Sequence, residues 1–382
     1  MEQFKSQFEN LRLEFHIIQS FPVSCLNRDD VGSPKTAIVG GIPRARVSSQ
    51  CWKRAVRMKM HELGGKEAFR TKLVEKLVAD KCVKLMEEQY PDKDKNEIQA
   101  QAQDCGKYAA QILGTKAEEG SKSVLFFISD SEVEAIADYF KGMNFTLPKD
   151  DTENKKDKKD KKKKDNKLIK IMKDVNLAKD GVDIALFGRM AADSPELNVE
   201  AATAFAHAIS IHRVDTDFDY FTALDDCQEE GVQGAAHLDV LNFNSATYYR
   251  YVSLDLGQLA KTLQTDDIAR YIEIFTQALF LAVPPARQAS MSAATPWNYA
   301  IVAIRKGQRL QIPFTAPVKP TKETPDMVSA GIKALKENYE GNKKLYGSLF
   351  GEEMKMEVGI GYDGIDDLVQ SVNNYLQKQC GQ

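Results

Sequence analysis

The chain has 382 residues, of which 43% are hydrophobic and 28% charged, and its formal net charge is -3. That length and composition suit a soluble globular protein with a sizeable core and exclude a disordered or fibrous chain. The slight acidity excludes a globally basic nucleic-acid binder, so any such surface must come from local concentration of Lys and Arg.

Six scattered cysteines, with no C-x-x-C pair, form neither a disulfide framework nor a zinc cluster and read as reduced thiols in a cytoplasm. No apolar signal region opens the chain, and no run approaches a membrane span.

Leu11 to Phe21 (LRLEFHIIQSF) is rich in bulky residues and predicts a strand entering the core. Phe21 to Pro34 reads as a loop, and Thr36 to Val47 as an extended ribbon broken by Gly40, Gly41 and Pro43. Ser48 or Ser49 caps a predicted helix over Gln50 to Leu63, stopped by Gly64–Gly65. Lys66 to Lys116 is helical in composition, Ser123 to Ser129 a short buried strand, and Asp130 to Gly142 another helix.

Lys149 to Lys167 holds ten lysines, six acidic residues and no apolar side chain. It predicts disorder, and its acidic interleaving favours a solubilising loop over a nucleic-acid tether. A helix follows over Leu168 to Leu177. Strands are expected over Val182 to Met190, Ala201 to Val214 and Asn244 to Leu256, with a long acidic excursion from Asp215 to Asn242. Helices fit Leu259 to Ala282, with a break near Thr265. Asn298 to Pro313 reads as a strand pair about Lys306–Gly307. A helix over Pro325 to Lys344, a strand over Lys355 to Tyr362 and a terminal helix over Ile365 to Lys378 complete the chain. The mixture lacks strict βαβ alternation. It predicts an α+β fold, with a largely antiparallel, ferredoxin-like or RRM-like sheet carrying insertions.

The densest basic stretch is Cys25 to Arg57, which carries Arg28, Lys35, Arg44, Arg46, Lys53, Arg54 and Arg57. Lys53 and Arg57 are four apart and share a helix face, at a separation close to the roughly 6 Å between RNA phosphates. The helix start at Ser48, Ser49 and Gln50 offers neutral donors at a positive end. Spacing alone leaves two readings open, a phosphate-binding surface and a solvated basic helix face.

Other candidates are weaker. His16 could be a lone acid/base, but no paired group is visible and packing is favoured. His207 and His212 sit at odd spacing. Asp215, Asp217 and Asp219 share one side of an extended segment. A solvated excursion is favoured there over a two-metal nuclease. No metal, cofactor or catalytic set is read.

The same stretch resembles the backbone subunit of the type I-E CRISPR surveillance complex Cascade, the CasC family. The shared pattern is Ser24-Cys25-Leu26-Asn27-Arg28-Asp29-Asp30, Lys35, Gly40-Gly41, Arg44, Arg46, then Ser48-Ser49-Gln50 with Lys53-Arg54-Ala55 and Arg57. Further blocks are Gly181 to Leu186 with Gly188-Arg189-Met190-Ala191, Ala206 to His212 running on to Asp225-Asp226, Gly234 with His237-Leu238, and Tyr249-Arg250-Tyr251. Pro43 and Trp52 depart from the pattern and are not carried over, and the tract Lys149–Lys167 has no counterpart.

The resemblance implies a modified RRM-like palm, begun by residues 1–65, with a helical fingers insertion at 66–180. Residues 181–382 would complete the palm, with an extended thumb at about 214–243. It implies a non-catalytic cytoplasmic subunit that polymerises along a CRISPR RNA and presents the guide for pairing with target DNA, beside other Cascade subunits. RNA would be held by Arg28, Lys35, Arg44, Arg46, Ser48, Gln50, Lys53, Arg54 and Arg57, with Met190 and Thr222 at a kink where bases flip out. An RRM-like endoribonuclease using His16 and a monomeric RNA-binding module are the competing readings.

Overall fold

The first long strand, β1 (Leu11–Ser24), is almost wholly buried because both of its faces are covered. Such a strand reads as a continuous apolar run instead of an alternating one. In the computed structural model, which describes residues 4–65, 68–115, 124–148, 166–223 and 237–381, β1 is followed by the hairpin β2 (Thr36–Val39) and β3 (Ile42–Val47). Gly40 and Gly41, both at positive φ, make its turn. Helix α1 (Ser49–Glu62) starts where Ser48 Oγ accepts from Cys51 N–H.

The chain continues with β4 (Ala68–Thr71), α2 (Val74–Gln89), α3 (Lys95–Ile112), β5 (Phe126–Ser129), α4 (Asp130–Gly142), α5 (Asn166–Lys173) and α6 (Val182–Phe187). Then come β6 (Thr203–Phe205), β7 (Ala208–Ser210), β8 (Asp217–Ala223), β9 (His237–Asp255), α7 (Leu256–Leu263), α8 (Ala269–Leu281), β10 (Tyr299–Lys306), α9 (Met327–Tyr346), β11 (Glu352–Gly359) and α10 (Ile365–Gln379).

The chain divides into two compact units. The helical unit comprises residues 1–6, 65–202 and 258–267, so the expected boundary at 180 falls inside it. Its core joins Val78, Cys82 and Met86 of α2, Cys105 and Ala109 of α3, and Ile136 and Phe140 of α4. Strands β4 and β5 pair beside it, Ala68 opposite Ser129. Ser129 then caps α4 in a full capping box with Glu132.

The sheet unit comprises residues 7–64, 203–257 and 268–382. Its sheet has the order β11-β10-β1-β9-β7-β3-β2, with β6 and β8 also on β9, and every pairing is antiparallel. One face carries α1 and α8, with Phe21, Trp52, Tyr248 and Phe275 between them and the strands. The other face carries α9, whose Leu335 and Tyr339 pack on Ile18, Tyr249, Tyr251 and Ile301.

Four expectations are corrected. Val182 to Phe187 is helix α6, not strand, with Val182 to Leu186 all buried. A short apolar run buried on all sides carries no periodicity to separate the two. Ala201 to Val214 is two short strands. Between Phe205 and Ile209 the chain takes four steps while β9 takes three, from Val252 to Tyr249, so a bulge turns His207 outward. Residues 308–313 form no strand, because β1 and β11 already occupy both edges of β10. The acidic excursion contains β8, paired with β9 from Asp217–Phe243 to Ala223–His237.

Of the lysine-rich tract, residues 149–165 lie outside the described residues, and Asn166 and Lys167 open α5. Among the described residues no helix is long and apolar enough to cross a membrane.

Candidate nucleic-acid interface

The basic stretch is folded into one surface by a short chain of backbone bonds in the sheet unit. The Asn27 carbonyl accepts from Lys35 N–H at 2.9 Å, and the Lys35 carbonyl accepts from Arg46 N–H at 2.8 Å. The Asn27 side chain accepts from Ser48 N–H at 2.9 Å. Asn27 therefore ties the Arg28 loop, the hairpin and the start of α1 together. Arg28 opposes Pro34 across this loop. The Asp29 carboxylate is occupied by the loop itself, accepting from Val31 and Ser33 N–H.

Pairing of β3 with β7 brings His207 to the same place. His207 Nδ1 accepts weakly from Ser49 N–H at 3.4 Å. Burial, with Arg46 and Lys35 beside it, holds the His207 pKa below its usual value. A neutral ring there is the acceptor that this contact needs.

Along α1, Trp52, Ala55, Val56 and Met60 are buried and Arg54 is exposed. Lys53 is half-buried, its ammonium 5.9 Å from the centre of the Phe205 ring. Burial first, and then the charge of Arg309, push the Lys53 pKa down. The Cys51 thiol is pushed up by burial against the opposing pull of Lys35 and Arg54. Cys25 is likewise raised by burial, while Arg287 and Arg28 pull the other way. Of these cations, Arg309 and Arg287 come from distant parts of the sequence.

None of Arg28, Lys35, Arg46, Lys53 or Arg54 lies within ion-pair distance of a carboxylate among the described residues. The contrast within the same unit is sharp. Lys333 pairs with Glu323, Lys336 with Glu357, Lys343 with Glu352 and Lys355 with Glu340. Unneutralised cations held this close together are what a polyanion backbone binds.

The structure sorts the sequence candidates. Arg28, Lys35, Arg46, Ser48, Gln50, Lys53 and Arg54 come together about the hairpin and the start of α1, and Arg57 lies one turn further along the helix. Arg44 does not belong with them. It is 0% exposed and donates to the Ser210 carbonyl at 2.8 Å and to the carbonyls of Phe314 and Thr315. It shares a face of β3 with Arg46 but is covered by Phe314 and Thr315, so its expected contact with phosphate is withdrawn.

Met190 belongs to the helical unit and is 82% exposed. Its neighbour Arg189 is buried against Glu132 at 2.7 Å, and Arg189 and Val199 exchange backbone bonds. Thr222 belongs to the sheet unit, exposed on β8 opposite Leu238.

His16 is 1% exposed, ringed by Tyr249, Tyr251 and Tyr339. It is a packing residue of β1. Arg287 and Arg309 were missed by sequence reading, and His207 was weighed there but not placed at this surface, because nothing in their local pattern marks them for it. The sheet pairing brings His207 here, the connection between α8 and β10 brings Arg287, and the path of the chain after β10 brings Arg309.

A profile of the family described as CT1975-like protein matches residues 13–360. No curated protein matches the chain. Among solved structures, a chain of a "CRISPR RNA-guided surveillance complex, pre-nicking" is similar with a TM-score of 0.75 and 24% identity. That match covers 96% of this chain and 100% of the other. A chain of a "CRISPR RNA-guided surveillance complex" is similar with a TM-score of 0.56 and 20% identity, covering 94% of this chain and 99% of the other. Both likenesses extend to the fold, a mixture of helices and antiparallel sheet.

Proposed function

The chain belongs to the CT1975-like protein family, and on that premise we propose that it is a CRISPR RNA-binding backbone subunit of a Cascade-type surveillance complex. In this reading it is of type I-E and CasC kind, non-catalytic and cytoplasmic. Copies of it line the guide and present it for pairing with target DNA in antiviral defence, alongside other Cascade subunits.

The observation that carries the reading is the run Arg28, Lys35, Arg46, Lys53 and Arg54 around the start of α1, none of them ion-paired with a carboxylate among the described residues, in a protein whose net charge is -3. Phosphate neutralisation by side chains of this kind reads no bases, which suits a subunit that must accept any guide. Arg57, Ser48 and Gln50 extend the same surface. The family resemblance adds Met190 and Thr222 as residues that shape where bases turn out.

The sheet unit supports an RRM-like description. Strands β10, β1, β9 and β7 lie side by side in that order, α1 follows β1 and α8 follows β9. This is a split βαβ connectivity. An RRM stacks bases on its open sheet face, whereas here α9 covers that face, so RNA is assigned to the hairpin and the start of α1 instead. Burial of His16 speaks against the endoribonuclease alternative.

The test is RNA binding by the purified chain across a range of salt. Arg46→Ala with Arg54→Ala should weaken binding to unrelated sequences alike and lower the salt slope by about 0.7 per lost phosphate contact. A loss confined to one sequence would contradict backbone binding. Mass measurement on a long RNA should find several copies, and a single copy would sink the filament.

A further inference from the structure

Between β10 and α9 the chain runs through residues 307–326 without a helix or strand. A segment of that length lacking regular structure is uncommon inside a compact unit and is usually functional. This one is not loose. The Leu310 N–H donates to Glu14 Oε1 at 3.2 Å, and the Ile312 N–H to the Tyr249 hydroxyl at 3.2 Å. Phe314 packs on Tyr249 with ring centres 4.8 Å apart. Buried Arg44 holds the carbonyls of Phe314 and Thr315. The Val318 N–H donates to the Ile211 carbonyl at 2.8 Å. Buried polar groups so spent on one irregular segment fix it as a strap across the sheet.

The anchoring also sets where the strap starts. Glu14 Oε1 accepts from the Tyr251 hydroxyl at 2.6 Å as well as from Leu310 N–H, and the Tyr251 carbonyl accepts from Ala206 N–H at 3.0 Å. Leu310 and Ala206 pack against the same core cluster. Phe205, next in the chain, carries the Lys53 ammonium over its ring. Arg309, next to Leu310, is exposed and has no carboxylate partner among the described residues, and its positive charge acts on Lys53. Holding two like charges together in free protein costs energy, and an anion placed between them recovers it.

We propose that the strap is a second wall of the RNA-binding surface and that Arg309 contacts a backbone phosphate jointly with Lys53. Arg44 is then a positioning residue, which fixes the strap from below. This rests on the RNA-binding reading above. It adds a residue about 250 positions from the basic stretch, beyond the reach of that stretch's pattern.

The test compares Arg309→Ala, Arg309→Lys and Lys333→Ala in binding to unstructured RNAs of unrelated sequence over a salt series. Lys333 is the control because it removes the same charge at a side chain already paired with Glu323. Arg309→Ala should weaken binding about fivefold to tenfold and lower the salt slope by about 0.7, with thermal unfolding unchanged. Arg309→Lys should recover most of the slope, and Lys333→Ala should leave affinity and slope near those of the parent. An Arg309→Ala protein with parental affinity, or with weaker binding but the parental slope, overturns the proposal. If Arg46→Ala with Arg54→Ala weakens binding while Arg309→Ala does not, only the strap fails. If the parent protein binds no RNA, both readings fall.

Discussion

Arg250 lies over the indole of Trp52, its guanidinium carbon 3.6 Å from the ring centre. Both side chains are buried, and among the described residues no carboxylate pairs with the guanidinium. It donates instead to the Gln19 side chain and the Leu279 carbonyl. Burial pushes its pKa down to about 9. The Trp52 π face stands in for a counter-ion, and the contact ties β9 to the helix that carries Lys53 and Arg54.

A double-mutant cycle measures that tie. Arg250→Ala should cost about 2–4 kcal/mol in urea denaturation, from the cavity and from Gln19 left unpaired. Trp52→Ala should cost as much, because it strips the face from a buried cation. The two losses should fall short of additivity by about 1–2 kcal/mol. Strict additivity would mean that the stacking contributes nothing.

Gly40 and Gly41 should respond differently to the same substitution. A Cβ on Gly40 would stand 1.9 Å from the Thr315 carbonyl oxygen, at a φ of +60°. A Cβ on Gly41 meets nothing within 4 Å, at a φ of +78°. Gly41→Ala should therefore cost only the left-handed backbone penalty, about 1–2 kcal/mol. Gly40→Ala adds a backbone collision with the strap and should cost at least about 2 kcal/mol more. Equal denaturation midpoints for the two variants would refute the close approach.

In the helical unit, Arg189 and Glu132 form a buried ion pair at 2.7 Å, and Arg189 also donates to the carbonyls of Phe127 and Leu197. Burial, the largest influence, raises the Glu132 pKa, and Arg189 opposes it. Arg189→Met should cost about 3–5 kcal/mol near neutral pH by leaving a carboxylate buried alone. The loss should shrink as pH falls, because Glu132 then takes a proton and no charge remains to be buried. Arg189→Met combined with Glu132→Leu should be milder than Arg189→Met alone. A penalty that stays constant with pH would argue that the guanidinium acts by packing alone.

These contacts mark what could be read in advance. The capped helix α1, the Gly40–Gly41 turn and the helical insertion follow from local signals: a serine cap, paired glycines, and the spacing of apolar residues. Arg44 and Arg46 are indistinguishable in sequence, two apart on one strand, yet one is buried and one is not. The difference lies in the strap, which arrives from more than 260 residues away. His207 was visible as a residue but not as a neighbour of Ser49, since a one-residue bulge against β9 aims it there. Helix α6 was misread because burial on every side erased its periodicity. The missed residues share one cause, that long-range pairing decides their place.

The same separation of local and long-range signals governs His16. It stands in a run of bulky residues that predicts a buried strand, and there it is buried. The Tyr249 hydroxyl accepts from Ile312 N–H, so its own hydrogen is free to donate to His16 Nδ1, 2.9 Å away. Burial above all, and then the charge of Arg305, push the His16 pKa down to about 3. The folded protein therefore binds fewer protons than the unfolded chain from pH about 3 up to the unfolded value of 6.5. Stability rises with pH wherever the unfolded state holds more protons, so the histidine's contribution is complete above pH 6.5 and is lost as pH falls through this window. At about 1.4 kcal/mol per pH unit, the loss is at most about 4–5 kcal/mol. Carboxylates titrate in the same range, so the test is a difference. In urea denaturation, His16→Gln should be less stable than the parent at pH 7 by about 1–3 kcal/mol, through lost packing. That deficit should narrow between pH 6 and pH 4 and then reverse. Parallel stability curves for the two proteins over that range would show that the buried imidazole carries no proton penalty.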